Sequence, residues 1–197
     1  MKLIDSKTYL NLAKAYAGEC QALVRYKFIV YGARQEGYEA MAQLVEKVYI
    51  NEFNHARMFY TFIQTANNDT IENIDINAGY PFKEKWNLLD NLRLAAEDEE
   101  NEATLIYPKF QRVAEEEGFP DIAGLYKNII QVENCHKMLF TDLYNQLKTK
   151  TLYKKDTPVK WKCLSCGYEE TGKEAWSNCP LCQAEQGYVL LKIQDNS

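Results

Sequence analysis

Two Glu-x-x-His pairs constrain this sequence more than any other feature. Glu52 stands three residues before His55, and Glu133 stands three residues before His136. The chain contains 2 histidines, so the two pairs use both of them. Residues three apart lie one turn apart on the same face of an α-helix. The pairs therefore predict two helices that each present a carboxylate and an imidazole to the same side.

Apolar stripes place these pairs, and further glutamates, on the inward faces of helices. Apolar side chains recur at steps of three and four in four long stretches, which are predicted to be helices. The stretches lie near residues 6–34, 38–66, 84–117 and 120–148. Glu19 interrupts the first stripe, Glu99 interrupts the third, and Glu102 follows one turn later. Because an unpaired buried carboxylate is costly, something must compensate these charges, and a pair of metal ions would do so.

The donor atoms favour iron or manganese. Carboxylate oxygens and imidazole nitrogens suit these metals, and two single glutamates plus two Glu-x-x-His pairs are the ligand set of dinuclear carboxylate bundles. Glu52 and Glu133 are predicted to bridge the metals, whereas Glu102 is either a further ligand or an acceptor for a hydrogen bond from a ligand. The predicted terminal ligands are Glu19, Glu99, His55 and His136. A single Glu-x-x-His pair is usually an exposed pair of helix neighbours, but two that interrupt apolar stripes favour the metal site.

The connection between the second and third helices indicates the fold. Residues 68–83 are polar and form a longer connection than a tight turn between antiparallel helices needs. A crossover along the bundle explains this length, so residues 1–148 are predicted to form a mostly α, ferritin-like four-helix bundle. Pro108 lies inside the third helix and is predicted to kink it.

Four cysteines near the C-terminus form a second metal signature. They make two Cys-x-x-Cys pairs separated by twelve residues: Cys163, Cys166, Cys179 and Cys182. Four such thiolates bind one tetrahedral metal, and a structural zinc ribbon and a one-iron redox centre share these ligands. Residues 159–197 are too few to fold alone, so this module is predicted to fold around its metal, with short strands at Lys160–Lys162 and Tyr188–Ile193. Residues 149–158 are predicted to be a polar linker.

Composition argues against several classes of function. The 197-residue chain carries a net charge of −5, which argues against general nucleic-acid binding. No apolar leader opens the sequence and no apolar stretch is long enough for a membrane span, so neither a secretory signal nor a membrane segment is expected. The Cys-x-x-Cys pairs fit a reducing, cytoplasmic compartment. The two remaining cysteines, Cys20 and Cys135, are predicted to be small buried apolar side chains.

Over essentially its full length the sequence resembles the rubrerythrin family. The matching segments are Gly18–Tyr26, Glu52–Ala56, Glu99–Pro108, Val132–His136 and the two Cys-x-x-Cys pairs. The resemblance implies a ferritin-like bundle with a di-iron site, followed by a small C-terminal rubredoxin-like β domain. It also implies reduction of hydrogen peroxide to water, and hence protection against oxidative stress, in the cytoplasm of an anaerobic or microaerophilic microbe.

The resemblance also implies roles for individual residues. His55 matches the position at which one iron exchanges a histidine for a carboxylate, here Glu102, when its oxidation state changes. The residues that match iron ligands are Glu19, Glu52, Glu99, Glu102, Glu133 and His136.

Two tyrosines are candidates for a part in the chemistry. Tyr26 lies about two turns from Glu19 along the first helix, and Tyr107 lies about two turns from Glu99 along the third. A tyrosine near such a centre could donate a hydrogen bond to bound peroxide or carry a radical. Ordinary amphipathic packing is the alternative.

The implied cofactors and partners follow from the same resemblance. Two irons are expected in the bundle and one in the tail, where zinc is the alternative. Because no G-x-G-x-x-G fingerprint is present, NADH would act through a separate reductase, or a rubredoxin would donate the electrons. A homodimer or higher homo-oligomer is expected, with the tail of one chain serving the bundle of another. The rival interpretation is a ferroxidase or iron-handling protein with a structural zinc-ribbon tail.

Overall fold

The computed structural model describes residues 1–67, 69–82 and 87–193. Its long helices run antiparallel in pairs, and a segment of π-helix, Glu102–Ile106, joins the helix before it to the helix after it, so that these two form one continuous rod. The helices within these residues are α1 (Lys7–Gln35), α2 (Glu39–Thr65), α3 (Leu88–Asn101), α4 (Tyr107–Glu116) and α5 (Pro120–Lys148). The predicted four-helix bundle is therefore confirmed.

The helix ends follow from local sequence. Ser6 caps α1 by accepting a hydrogen bond from the backbone N–H of Tyr9. Gly37 follows α1 and Gly118 follows α4, both with φ of +83°, a left-handed conformation that glycine adopts without strain. The start predicted for the third helix, near residue 84, lies outside the described residues. The described part of that helix begins at Leu88, after the cap Asn87.

The third helix is interrupted just before Pro108 by a π-helical segment, which was not predicted. Pro108 occupies the first turn of α4, where the missing N–H is tolerated. The irregular segment precedes it, over Glu102–Ile106, where the N–H of Tyr107 bonds to the carbonyl of Glu102 in the wider π pattern. One extra residue per turn thus rotates the side chains on either side of the segment relative to each other.

Two apolar clusters fill the two ends of the bundle. One contains Tyr26, Val45, Leu92 and Phe140, and the other contains Leu12, Phe59, Tyr107 and Ile129. On every long helix the predicted metal ligands fall between the positions that contribute to these two clusters. The glutamates and histidines therefore form a polar layer that is closed off by apolar packing above and below.

The crossover connection runs along the bundle, as predicted. Its described part, residues 69–82, contains no helix or strand. Ile71, Ile74 and Ile76 nevertheless pack against the second apolar cluster, and the Tyr80 hydroxyl donates to the carbonyl of Lys14 on α1 at 3.1 Å. These contacts hold the connection against the helices.

The tail is a small antiparallel hairpin with cysteine-bearing loops. In the described chain β1 (Lys154–Lys162) pairs with β2 (Glu169–Glu174), so β1 begins inside the segment predicted as a linker. The predicted strand at Tyr188–Ile193 is wrong. Val189 makes only an isolated bridge to Cys163, and Leu191 instead packs into the first apolar cluster of the bundle.

The tail packs on the end of its own bundle. Gly187 lies so close to Gly37 in the α1–α2 turn that a β-carbon at 187 would overlap the Gly37 carbonyl. The Gln146 amide donates to the carbonyl of Lys192 at 2.9 Å, and the ring of Tyr38 stacks near that of Tyr153. None of the helices that the structure describes has the length and apolarity of a membrane span.

Candidate metal centre

The bundle brings six predicted ligands into two overlapping groups. Glu52 and Glu133 belong to both groups, whose donor atoms all lie within 4.8 Å of one another. Glu19 and His55 complete the first group, and Glu99 and His136 complete the second. Two metal ions would thus share the carboxylates of Glu52 and Glu133, the arrangement that was predicted for the bridging ligands.

The two imidazoles approach the shared carboxylates through the same ring nitrogen. His55 Nδ1 lies 3.0 Å from an oxygen of Glu52 and 3.0 Å from an oxygen of Glu133. His136 Nδ1 lies 2.9 Å from the other oxygen of Glu52 and 2.8 Å from the other oxygen of Glu133. Glu52 and Glu133 therefore each place one oxygen beside His55 and the other oxygen beside His136. In both histidines Nδ1 is the nitrogen placed to bind a metal.

Burial and unsatisfied atoms test whether metal ions fit. All six side chains are buried, and Glu19 and Glu133 are 0% exposed. Within the described chain, Glu133 has no hydrogen bond on either oxygen, and Nδ1 of His136 has none. One oxygen each of Glu19, Glu52 and Glu99 is likewise without a hydrogen bond. Buried polar atoms of this kind are costly unless they are paired, and a pair of cations satisfies them together.

The pKa values of the metal-free site differ sharply among neighbouring carboxyls. Burial raises the pKa of Glu99 to about 8, and it raises that of Glu19 well above the ordinary value. Burial acts on Glu52 in the same direction, but the imidazoles of His136 and His55, whose Nδ1 atoms lie 2.9 and 3.0 Å from its oxygens, lower the pKa of Glu52 to about 2. Metal binding would therefore displace protons from Glu99 and Glu19.

Tyr26 and Tyr107 each donate a hydrogen bond to a terminal ligand. The Tyr26 hydroxyl donates to Glu99, and the Tyr107 hydroxyl donates to Glu19. The pairs cross the bundle, whereas the sequence had suggested proximity along the same helix. Both tyrosines therefore do more than fill space, because each orients one carboxylate.

Glu102 lies beside the site but outside both ligand groups. It begins the π-helical segment and is partly exposed, and no hydrogen bond or ion pair joins its side chain to the part of the chain that is described. Burial raises its pKa well above the usual range. Its role as a ligand in one oxidation state stays a prediction.

Sequence reasoning missed two contacts that support the ligands. The Asn51 amide lies 3.2 Å from Nε2 of His136, and Arg25 forms an ion pair with Asp98 at 2.6 Å that joins α1 to α3. Each of these residues is adjacent in sequence to a ligand or to a tyrosine that contacts one. That adjacency was the available signal, but it does not specify which neighbour points inward.

The four tail cysteines also come together. Their sulfur atoms lie within 4.8 Å of one another, with Cys163 and Cys179 buried and Cys166 and Cys182 exposed. Gly167 and Gln183 follow the two knuckles with φ of +78° and +64°, so the second knuckle adopts the same turn without a glycine. The described fold thus has a preformed tetrathiolate site with one edge open to solvent.

The two cysteines outside that site were predicted to be small buried side chains. Cys135 is exposed, so the prediction is wrong for this residue, and Cys20 is only partly buried. Cys135 lies on the outer face of α5, because its neighbours Glu133 and His136 take the inward positions.

Comparison with known proteins decides the family. The rubrerythrin family model matches residues 11–144, and a model described as the rubredoxin-like domain of rubrerythrin matches residues 161–188. This chain belongs to the rubrerythrin family. A rubrerythrin from Clostridium perfringens is 39% identical over 186 residues, which cover 94% of each chain. A rubrerythrin from Porphyromonas gingivalis is 35% identical over 93% of this chain and 88% of its own.

Solved structures agree with the sequence comparison. A partially reduced nigerythrin superposes with a TM-score of 0.62 at 27% identity and covers 95% of this chain and 90% of its own. A bacterioferritin from Desulfovibrio desulfuricans, at 23% identity and a TM-score of 0.60 over 73% of this chain and 81% of its own, shares the ferritin-like fold. The protein is thus a rubrerythrin-type di-iron protein with a rubredoxin-like four-cysteine site.

Proposed function

We propose that the protein is a peroxidase that reduces hydrogen peroxide to water and thereby protects against oxidative stress. The observation that carries the proposal is the pairing of two metal positions on shared Glu52 and Glu133 with a tetrathiolate site in the same chain. A dinuclear centre can deliver two electrons, which is the number that the O–O bond requires. A one-electron centre can refill it stepwise.

The residues around the site supply positioning and protons. When bound, the metal pair supplies Lewis acidity and the two electrons. Tyr26 and Tyr107 hold Glu99 and Glu19 in place, so the carboxylates do not reorient freely during turnover. The reaction consumes two protons, and the carboxyl of Glu102 and the phenol of Tyr107 both line the cavity beside the site. Either group is placed to relay a proton from that side.

Electrons are proposed to enter through the tail. Cys166 and Cys182 form its exposed edge, where an external reductase or a rubredoxin would dock. Iron is the metal that this role requires, and zinc would make the tail structural. The free thiols fit a reducing cytoplasm, which is the proposed location.

The position of the tail supports electron transfer between chains. The tail packs on the turn before α2, and Glu52 lies thirteen residues beyond the start of that helix at Glu39, which is roughly 20 Å along its axis. A tail that docks there stands far from the di-iron site of its own bundle. This separation favours the proposed homodimer, in which each tail serves the partner's site.

An exposed apolar face on α1 and α2 supports self-association. The two helices lie side by side, as the contacts of Tyr16 with Tyr60 and of Lys27 with Tyr49 show. The large apolar side chains exposed on these two helices include Val24, Phe28, Tyr31, Ile50 and Phe53. A face of this kind marks an interaction surface. A monomer that keeps full activity at every dilution in sedimentation and turnover assays would contradict the dimer.

Anaerobic reconstitution followed by metal analysis and peroxide assays tests the proposed activity. We expect about three irons per chain, from two bundle positions and one tail position, and sustained consumption of peroxide with a reductase and NADH. If Fe(II) is oxidised and retained while peroxide turnover is absent, the iron-handling alternative is correct. Zinc alone in the tail of protein from its native host would overturn the electron route.

A further inference from the structure

A cavity of about 690 Å³ opens beside the metal centre, between α1, the π-helical segment and the crossover connection. Glu102 and Tyr107 contribute to its wall, and Tyr107 also donates to the ligand Glu19, so the cavity reaches the metal site. Tyr80 and Pro81 of the crossover form the opposite wall. The Tyr80 hydroxyl anchors that wall by donating to the Lys14 carbonyl at 3.1 Å.

The volume greatly exceeds what hydrogen peroxide needs. A water molecule occupies roughly 30 Å³ in the liquid, so a molecule with two oxygen atoms would fill a small part of this space. Cavities of roughly 300–1,000 Å³ are typical of sites for organic ligands. The size therefore points to a substrate with an organic body.

The lining is apolar on the side of the π-helical segment. Leu105, Ile106 and Phe110 line the cavity there, and Leu105 is 64% exposed while Ile106 is 39% exposed. When an apolar ligand covers large apolar side chains at the mouth of a cavity, it removes their surface from water, and this burial stabilises the complex. Leu105 and Ile106 belong to the π-helical segment, whereas Phe110 lies in α4.

We propose that this cavity binds the apolar body of an organic hydroperoxide, R–O–O–H, with the O–O bond toward Glu102 and Tyr107. The inference rests on the proposed peroxidase function and names a second substrate class for the same site. The O–O bond breaks, two electrons from the reduced metal pair and two protons are consumed, and the products are the alcohol R–OH and one water. The protons come from solvent through the ionisable groups of the cavity wall.

Leu105 offers a variant that changes the cavity mouth without touching the metal ligands. Leu105→Asp places a charge against the apolar body, and its side chain is exposed enough for the fold to tolerate the change. Leu181→Asp in the tail is the matched control, since Leu181 is 66% exposed and lies outside the cavity lining. Single-turnover assays on chemically reduced, iron-loaded protein remove any dependence on the tail.

The first measurement is the rate at which cumene hydroperoxide or hydrogen peroxide re-oxidises the reduced, iron-loaded protein. We expect both peroxides to react with the parent protein and with Leu181→Asp. Leu105→Asp should lower the rate with cumene hydroperoxide about tenfold, which corresponds to the loss of one leucine contact. The rate with hydrogen peroxide should stay within about twofold of the parent rate. If hydrogen peroxide reacts but cumene hydroperoxide does not, or if Leu105→Asp slows both equally, the inference is wrong and the peroxidase proposal stands.

Calorimetric binding of the product alcohol, 2-phenyl-2-propanol, to the iron-loaded resting protein is the second measurement. We expect saturable binding that Leu105→Asp weakens about tenfold and Leu181→Asp does not change. Absence of binding overturns the inference, including the case in which a second copy of the chain covers the cavity. If neither peroxide reacts, the proposed function fails, and the inference fails with it even where the alcohol binds.

Discussion

The side-chain amide of Asn51 lies 3.2 Å from Nε2 of His136, on the opposite edge of the ring from the carboxylates. When Nδ1 of His136 binds a metal, Nε2 carries the proton and must donate it. The atom of Asn51 that lies beside Nε2 is the amide nitrogen, so the amide would rotate by half a turn to present its oxygen to that N–H. We expect Asn51 in this way to fix the tautomer and the orientation of this ligand.

Asn51→Leu removes that acceptor, and we expect iron affinity at the bundle site to fall by roughly 10- to 100-fold, as measured by competition with a chelator. Asn51→Asp keeps an acceptor and should retain affinity. Asn54→Leu on the same helix is the control, because its amide donates to the carbonyl of Ile50 and not to the site. Unchanged affinity in Asn51→Leu would show that the contact plays no part in binding.

Tyr107→Phe should destabilise the protein, because it removes a buried hydrogen bond and leaves an oxygen of Glu19 without a partner. We expect a loss of about 1–3 kcal/mol in the free energy of unfolding of the iron-loaded protein, measured anaerobically with denaturant. Tyr126→Phe is a close control, since its ring lies 5.7 Å from that of Tyr107 and its buried hydroxyl has no hydrogen bond among the described residues. That variant should be neutral or stabilising. Equal losses in the two variants would contradict the role assigned to the Tyr107 hydroxyl.

Gly187→Ala should release the tail from the bundle, because the added β-carbon overlaps the Gly37 carbonyl in the α1–α2 turn. We expect faster proteolysis near residues 149–153 while the absorption of the iron tetrathiolate is retained. Gly172→Ala serves as control, since its β-carbon would meet only the Glu174 carbonyl at 3.6 Å, an ordinary contact. Proteolysis at the parental rate in Gly187→Ala would show that the docking contact can shift to accept a side chain.

Much of this site was predictable from the sequence, because the apolar stripes and the spacing of the ligands both follow the repeat of an α-helix. The positions of Glu52, His55, Glu133 and His136 follow from them directly. The Tyr107–Glu19 pair could not be derived in this way, since it depends on how two helices face each other across the bundle.

The π-helical segment and the tail strands likewise could not be derived from the local sequence. A π turn adds a residue without changing the composition of the helix, so the π-helical segment that ends two residues before Pro108 was not predicted. Likewise, Tyr188–Ile193 has the composition of a strand, but Leu191 gains more by packing on the bundle. Tertiary burial overrides local propensity in such short segments.

Removal of the metals should make stability depend on pH. Burial raises the pKa of Glu99 from 4.5 to about 8, so the folded metal-free protein holds a proton that the unfolded chain has released. This contribution is complete below pH 4.5 and is lost as the pH rises through about 8. His55, whose pKa is raised from 6.5 to about 12, acts in the same direction above pH 6.5, whereas Glu52, whose pKa is lowered from 4.5 to about 2, changes its protonation only below this range.

Between pH 5.5 and pH 8 we therefore expect the melting temperature of the metal-free protein to fall by on the order of 5 °C. In the iron-loaded protein the metals replace the proton, and the melting temperature should change much less. Calorimetric scans of both forms in the same buffers measure the difference. A metal-free protein that becomes more stable toward pH 8 would contradict the assigned shift.

If the tail feeds electrons to a peroxide-reducing centre in the bundle, sustained peroxide consumption must depend on the tetrathiolate site, and Cys179→Ser removes that site. The substitution removes one of four thiolate ligands, whereas the bundle keeps its own core and ligands. After chemical reduction the variant should consume about one peroxide per metal pair and then stall with the reductase and NADH, while the parent protein continues. Glu52→Ala should keep the tetrathiolate colour but react slowly even with the first peroxide. Full steady-state turnover by Cys179→Ser would show that the electrons take another route and that the tail is structural.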